Sequence, residues 1–158
     1  MKKRRTLIRL AAVCLLAFSL TGCGTTRESM TDMKFQNAAE KAGYEVMDST
    51  EQFAAYDHIE SASIAIKDND YQVEFYTTSN SASAASMFQT SRASFETTKG
   101  SKTIERGKSG ENYQSYSLLT NRQYMYVCQI DNTLVYVDGQ LPRPMADAIK
   151  VGACKSSS

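Results

Sequence analysis

Side chains that carry catalysis or bind metals are scarce in this sequence, which has one histidine, four cysteines and no tryptophan. One histidine excludes a histidine pair, and neither a Cys-x-x-Cys motif nor an acidic loop with calcium-site spacing is present. His58 follows Asp57 without a nucleophile motif, so we expect an exposed loop histidine rather than a catalytic base. Glu60 and Glu74 are expected to be solvated carboxylates of a hairpin, with an acid–base pair as the alternative. The sequence therefore predicts no enzyme, no cofactor and no metal site.

Long apolar runs are also scarce, and the most prominent one extends from residue 10 to residue 20. It follows a region with five basic residues, Lys2, Lys3, Arg4, Arg5 and Arg9. The run is too short to span a bilayer as a helix, which requires roughly 20 apolar residues. A basic region followed by an apolar region of this length is typical of an export signal.

The motif Leu20-Thr21-Gly22-Cys23 closes the apolar region. It resembles the lipobox of bacterial lipoproteins, in which small residues before a cysteine allow lipidation of its thiol and cleavage just ahead of it. The resemblance covers residues 1–23 and implies that residues 1–22 are a lipoprotein signal peptide and that Cys23 carries acyl chains such as palmitate. A buried cysteine in an ordinary amino-terminal helix would leave the five cations unexplained.

The lipid on Cys23 would anchor the mature protein to the cell membrane on its extracytoplasmic side. Each buried methylene contributes about 0.8 kcal/mol, so two acyl chains suffice for stable anchoring. If the envelope has two membranes, the resemblance to lipoproteins implies that Gly24 permits sorting to the outer membrane. The membrane is therefore the first expected partner.

Clusters of charge are absent from the mature chain. Removing residues 1–22 leaves 136 residues, with 13 Lys plus Arg against 17 Asp plus Glu and a formal net charge of −4. No two of those basic residues are adjacent, which argues against nucleic acid as a partner. A chain of this length is enough for one domain with a core.

Apolar residues recur at helical spacing in two segments ahead of the carboxyl-terminal region. Thr31 or Asp32 can cap a first helix that stops at Gly43, and Asn80 or Ser81 can cap a second that ends near residues 99–100. A last short helix is expected after the prolines at 142 and 144, with its apolar face at Met145, Ala148 and Ile149. We expect a lipidated flexible tether over residues 23–31, a domain over residues 32–154 and a disordered tail over residues 155–158.

Alternating patterns predict seven strands, at residues 44–47, 59–67, 71–76, 103–106, 113–120, 123–130 and 133–137. The second and third form a hairpin with one buried face, and turns are predicted at residues 107–112, at Asn121-Arg122 and at Asp131-Asn132. The order of elements predicts an α+β fold, a single domain in which helices pack on one face of an antiparallel sheet. The stretch from Tyr71 into the helix at Ala84 to Phe88 also resembles small uncharacterised lipoproteins of Gram-positive bacteria, which implies no activity.

Two cysteines remain once Cys14 leaves with the signal and Cys23 is lipidated. Outside the cytoplasm, Cys128 and Cys154 are more safely paired than free, and their disulfide would close a loop of about 25 residues. A free buried Cys128 with an exposed Cys154 is the first alternative, and a redox-active pair is the second.

Tyrosine is abundant, with nine residues in the chain. Tyr124 and Tyr126 are predicted to share a strand face with Cys128, and Tyr113 joins them from the neighbouring strand. An exposed stripe of this kind is a candidate binding face for glycan or protein. The alternative is ordinary sheet packing, because tyrosine is a favoured strand residue.

These patterns favour a non-enzymatic binding or interaction module of the cell envelope. Its partner would be an envelope protein or a cell-wall polymer. The first alternative is an inhibitor or protective lipoprotein directed at an extracellular hydrolase, and the second is an enzyme with an unrecognised site.

Overall fold

A computed structural model of the chain describes residues 26–68 and 71–140. The described residues form two α-helices, one 3-10 helix and seven strands. In chain order these are α1 (Asp32–Lys41), β1 (Glu45–Asp48), the 3-10 helix (Thr50–Phe53), β2 (Ile59–Lys67), β3 (Tyr71–Thr78), α2 (Ser81–Thr97), β4 (Thr103–Ser109), β5 (Tyr113–Thr120), β6 (Gln123–Ile130) and β7 (Thr133–Gln140).

All seven strands belong to one antiparallel sheet in the order β1-β2-β3-β7-β6-β5-β4. The sheet is open, with β1 and β4 at its edges. Helix α2 connects β3 to the far edge, and β7 returns to pair with β3 in the middle of the sheet. The predicted single domain of helices and antiparallel sheet is confirmed at this level, although the sheet dominates.

Both helices begin at the predicted caps. The Thr31 side chain accepts a hydrogen bond from the Lys34 N–H (3.3 Å), and the Asn80 side chain accepts one from the Ser83 N–H (2.9 Å). These bonds satisfy amide groups that a helix leaves without partners in its first turn. After α1, Gly43 adopts a φ of +81°, a left-handed conformation that suits glycine.

The two helices lie on opposite faces of the sheet, so the prediction that helices pack on one face is wrong for α1 and α2. Phe35 of α1 stacks on Phe75 with ring centroids 5.1 Å apart. Phe88 and Phe95 of α2 belong to the core cluster that contains Tyr76. Since Phe75 and Tyr76 are consecutive in β3, their side chains point to opposite faces. We call these faces the α1 face and the α2 face.

The β2–β3 hairpin is consequently buried on both faces rather than on the one that was predicted. Ala62 on the α2 face and Ala65 on the α1 face are 1% and 0% exposed. The polar Ser63 is also fully buried, because its hydroxyl donates to Asp32 (2.7 Å) and accepts from Gln36 (3.0 Å) of α1. The sequence does not distinguish a buried, hydrogen-bonded serine from an exposed one. The pattern of apolar and polar residues in β2 therefore does not indicate the second buried face.

The strands differ from their predicted bounds mainly at their ends. β2, β5 and β6 have the predicted bounds, β7 continues to Gln140, and β4 continues to Ser109 through part of the predicted 107–112 turn. The predicted turn at Asn121 and Arg122 is confirmed. Its two residues have φ values of 48° and 72°, as tight two-residue hairpin turns require.

Several predicted segments lie outside the described residues. They are the signal peptide over residues 1–22, the lipidation site Cys23, the last helix near Met145, and the tail over residues 155–158. Among the described residues, no helix is long and apolar enough to cross a membrane.

Candidate functional site

A groove of about 540 Å³ runs between the amino-terminal half of α2 and the segment that joins β1 to β2. Its volume is in the range of small-ligand sites, roughly 300 to 1,000 Å³. We call it the α2 groove. It is lined by nine residues, Phe53, Tyr56, His58, Ile59, Ser83, Ser86, Met87, Thr90 and Ser91.

The floor of the α2 groove is apolar and continuous with the core. Phe53, Ile59 and Met87 are partly buried and pack against the core cluster on the α2 face. The Phe53 ring meets the Tyr76 ring edge-on, with centroids 5.3 Å apart and an interplanar angle of 90°. This geometry is favoured for aromatic pairs and fixes the floor to β3.

The wall opposite α2 is held by backbone hydrogen bonds. The Tyr56 N–H donates to the Phe53 carbonyl (2.8 Å), and the Ile59 N–H donates to the Tyr56 carbonyl (2.9 Å). The His58 carbonyl accepts from the Ser79 N–H (3.0 Å) at the end of β3. Because these bonds fix the segment without a ligand, the groove is preformed.

Aromatic rings line this wall. Tyr56 is 54% exposed, and its ring centroid lies 6.3 Å from that of Phe53 and 6.0 Å from that of His58. An exposed large aromatic side chain beside a half-buried one offers contact area to a ligand at little cost in side-chain entropy. The wall therefore presents a platform for apolar surface.

The α2 wall is made of hydroxyl groups. Ser83, Ser86, Thr90 and Ser91 recur at helical spacing, so they share one side of the helix. The Thr90 hydroxyl donates to the Ser86 carbonyl (3.1 Å), and hydroxyl groups also accept hydrogen bonds. No Asp, Glu, Lys or Arg is among the nine lining residues, so the lining carries no carboxylate, ammonium or guanidinium group.

The three residues considered for catalysis are not assembled into a site. His58 is half-buried in the groove wall rather than exposed, and within the described residues no hydrogen bond joins its ring to a groove serine. Glu74 lies opposite Ile64, and its carboxylate accepts from Gln72 and Tyr76. Glu60 lies at the register irregularity of β2 and is not opposite Glu74.

Sequence reasoning missed the α2 groove, although two signals pointed to it. Phe53 and Tyr56 are large aromatic residues in a segment with no strand or helix period, and such residues need a packing partner or a ligand. The hydroxyl-rich side of α2 is visible in the sequence as well, but nothing in the sequence distinguishes it from the polar side of any surface helix. Only the fold brings these two segments together.

The predicted tyrosine stripe does lie on one sheet face, the α1 face. Tyr113 is opposite Ile130, and Tyr124 and Tyr126 alternate along β6 with residues of the other face. The Arg27 guanidinium lies 3.9 Å from the Tyr113 ring centroid, and burial raises the pKa of the Tyr126 hydroxyl. These contacts within the chain favour the packing alternative, and binding by this stripe stays a prediction.

Cys128 lies on the same face and is 2% exposed. Burial raises the pKa of its thiol, which therefore stays protonated at neutral pH. It forms no disulfide with a described residue. Cys154 lies outside the described residues, so the Cys128–Cys154 disulfide stays a prediction.

The predicted tether is attached to the domain earlier than expected. The Arg27 N–H donates to Asn112 Oδ1 (2.8 Å), and Asn112 Nδ2 donates back to the Arg27 carbonyl (2.8 Å). Asn112 Nδ2 also contacts both carboxylate oxygens of Asp131 at 3.1 Å. Met30 packs against the core cluster under α1. The segment that can act as a tether therefore ends at Arg27.

A polar cluster lies at the carboxyl-terminal end of α2. The Glu105 carboxylate accepts from Lys99 Nζ (2.6 Å) and from the Tyr116 hydroxyl (2.7 Å). The bond from Lys99, followed by that from Tyr116, lowers the pKa of the Glu105 carboxyl. This cluster joins the residues after α2 to the edge strand β4 and shares no residue with the lining of the α2 groove.

A second cleft, of about 580 Å³, opens beside the first turn of α2 and the loop after β4. Its lining includes Asn112 and Asp131, which are bonded to each other, and Asn112 is also bonded to Arg27. These two polar side chains are thus used within the chain, and the α2 groove is the better candidate site.

Within residues 26–68 and 71–140, no group of three or more His, Cys, Asp or Glu side chains is placed to hold a metal ion. The α2 groove thus offers aromatic, thioether and hydroxyl contacts.

Comparisons with protein-family models, with curated proteins and with solved structures find no match.

Proposed function

We propose that this chain is a non-enzymatic, lipid-anchored binding module of the cell envelope, and that the α2 groove is its ligand site. The single observation that supports the binding role best is the preformed groove, with an aromatic and apolar floor and no charged lining residue. The anchor rests on the lipobox resemblance at Cys23, which places the domain on the extracytoplasmic side of a membrane.

The lining chemistry favours a neutral saccharide, as found in envelope glycans. A sugar ring has a face of C–H groups that packs on aromatic rings such as Tyr56, and hydroxyl groups around its edge. Ser83, Ser86 and Thr90 offer donors and acceptors along the facing wall. One ligand class therefore satisfies both walls at once.

Charged ligands fit the groove less well. A polyanion would be desolvated without a Lys or Arg to pair with it, and a basic segment would find no carboxylate in the lining. An apolar segment of an envelope protein would use the floor but leave the hydroxyl wall without partners. For this reason we favour the saccharide over the protein partner.

Two arginine substitutions on one helix test the proposal. Ser86→Arg introduces a long charged side chain into the α2 groove, whereas Ser94→Arg makes the same change at an exposed position of α2 outside it. The full-length lipoprotein in detergent micelles is titrated calorimetrically with the tetramer of N-acetylglucosamine. We expect Ser86→Arg to weaken binding at least tenfold and Ser94→Arg to leave it within twofold.

If both variants bind the tetramer equally well, the α2 groove is not the binding site. Capture of an extracellular hydrolase that Ser86→Arg abolishes would instead favour the inhibitor. Cleavage of the tetramer that depends on His58, tested with His58→Ala, would favour an enzyme, since His58 and three serines line the same groove.

A further inference from the structure

We infer that the contact between Arg27 and Asn112 holds one particular end of the domain against the headgroup layer of the membrane. This inference rests on the proposed function, because it requires the lipid on Cys23. It adds a second interaction surface to the molecule, whose partner is the bilayer surface itself.

Only a short segment of chain joins the lipid on Cys23 to Arg27. Arg27 is four residues beyond Cys23, and an extended chain of that length spans at most about 14 Å. If Arg27 were not held by Asn112 and Tyr113, the first fixed residue would be Met30, which packs against the core cluster under α1, and the limit would rise to about 25 Å. The contacts of Arg27 therefore shorten the reach of the anchor by about 10 Å.

The contact also selects which end of the sheet faces the membrane. Asn112 is bonded to Asp131, and the Thr78 N–H donates to the Asn132 carbonyl (2.8 Å). The loop after β4, the β6–β7 turn and the β3–α2 connection therefore lie together. We call this the lipid-side end. The opposite end carries Lys102 and the β5–β6 turn, and β5 separates the two ends by about 26 Å.

The composition of the lipid-side end suits a headgroup layer rather than the bilayer interior. Its loops carry Ser, Gly, Asn, Glu111 and Asp131, and of the exposed large apolar residues of the described chain only Tyr56, beside His58 in the groove wall, is near them. A surface of this kind can rest on polar headgroups and offers little apolar area to insert.

The α2 groove lies next to the lipid-side end. His58, in the groove wall, accepts a backbone hydrogen bond from Ser79 at the lipid-side end. This wall of the groove is consequently near the membrane, so the ligand binds there rather than at the outer tip of the domain.

Paired fluorescent labels test the orientation. In a Cys154→Ser background, Glu111→Cys places a label at the lipid-side end and Lys102→Cys places one at the far end, while buried Cys128 stays unlabelled. The full lipoprotein is reconstituted in phosphatidylcholine vesicles with a headgroup spin-labelled lipid as the quencher. We expect quenching at position 111 to exceed that at position 102 at least threefold.

Two further variants link this difference to the contact. Asn112→Ala, combined with Arg27→Ala, removes both hydrogen bonds and the stacking of Arg27 on Tyr113, and an insertion of four Gly and Ser residues after Gly24 lengthens the tether without touching the domain. Each should reduce the ratio of quenching at the two positions toward one. The insertion keeps the test decisive if the double substitution lowers stability, which thermal unfolding would reveal.

The outcomes separate the inference from the proposed anchor. A Cys23→Ala control should leave the protein off the vesicles. If the parent protein also stays off them, the anchor itself fails and the inference fails with it. If the parent binds the vesicles but both labels are quenched equally, the anchor stands and the orientation is overturned.

Discussion

The ring of Phe53 meets the ring of Tyr76 edge-on, with centroids 5.3 Å apart. Phe53 belongs to the short 3-10 helix after β1, and Tyr76 belongs to the interior strand β3. This contact makes the floor of the α2 groove part of the core, so the shape of the groove depends on the packing of the domain. Tyr56, by contrast, faces the groove with over half of its surface exposed.

This difference predicts unequal effects of two aromatic truncations. Phe53→Ala should lower the free energy of unfolding by about 2 kcal/mol, below the 3 to 5 kcal/mol of a fully buried ring. Tyr56→Ala should change it by no more than about 0.5 kcal/mol, as is usual at exposed positions, yet weaken saccharide binding. Urea unfolding measures both values. A loss for Tyr56→Ala as large as that for Phe53→Ala would contradict a preformed groove.

The opposite placement of the helices predicts independent cores. Phe35→Leu on the α1 face and Phe88→Leu on the α2 face should each cost about 1 to 2 kcal/mol of unfolding free energy. Because the two side chains belong to separate core clusters, the double variant should show the sum within about 0.5 kcal/mol. Coupling above 1 kcal/mol would indicate one shared core, with both helices on the same side.

The Glu105 cluster predicts a loss of stability in acid. The lowered pKa of Glu105 means that its bonds to Lys99 and Tyr116 stabilise the fold fully above the ordinary value of 4.5, and progressively less as the pH falls through the lowered value. At pH 7 Glu105→Gln should be slightly less stable than the parent, because exposed ion pairs contribute little. Urea midpoints should converge in acid and in 1 M salt. A difference that grows in acid would contradict this assignment.

The predicted disulfide can be tested on the intact protein. Cys128 is opposite Val135, five residues before the end of β7, a distance of about 17 Å that the chain to Cys154 can cover. A digest under non-reducing conditions should contain the linked peptides. Reduction should cost about 3 kcal/mol of unfolding free energy for a loop of this length. Recovery of both cysteines as alkylated thiols after unfolding would exclude the bond.

Local features of the fold were predictable because they depend on neighbours in the chain. Thr31 and Asn80 cap the helices through their own side chains, and the alternation in β5 and β6 gives their bounds. The turn at Asn121 follows from the break between two alternating runs. Each of these signals extends over a few residues, so tertiary contacts do not override it.

The pairing of distant segments was not predictable in the same way. Ser63 is buried because Asp32 and Gln36 of a helix some thirty residues earlier satisfy its hydroxyl. Likewise, Arg27 is fixed by Asn112, which is 85 residues further along the chain. The α2 groove depends on the 3-10 helix and α2 lying over the same core cluster, and nothing in the sequence of either segment indicates the other.

Methionine methyl groups provide the most direct test of the α2 groove as the ligand site. Met87 lines the groove, whereas Met33 is 72% exposed on α1, away from it. The full lipoprotein with ¹³C-labelled methionine methyls is titrated in micelles with the N-acetylglucosamine tetramer. We expect the Met87 methyl signal to shift in a saturable way while the Met33 signal stays in place. Saturable binding that leaves Met87 unchanged, or no shift of any methyl at millimolar tetramer, would contradict a saccharide site in this groove.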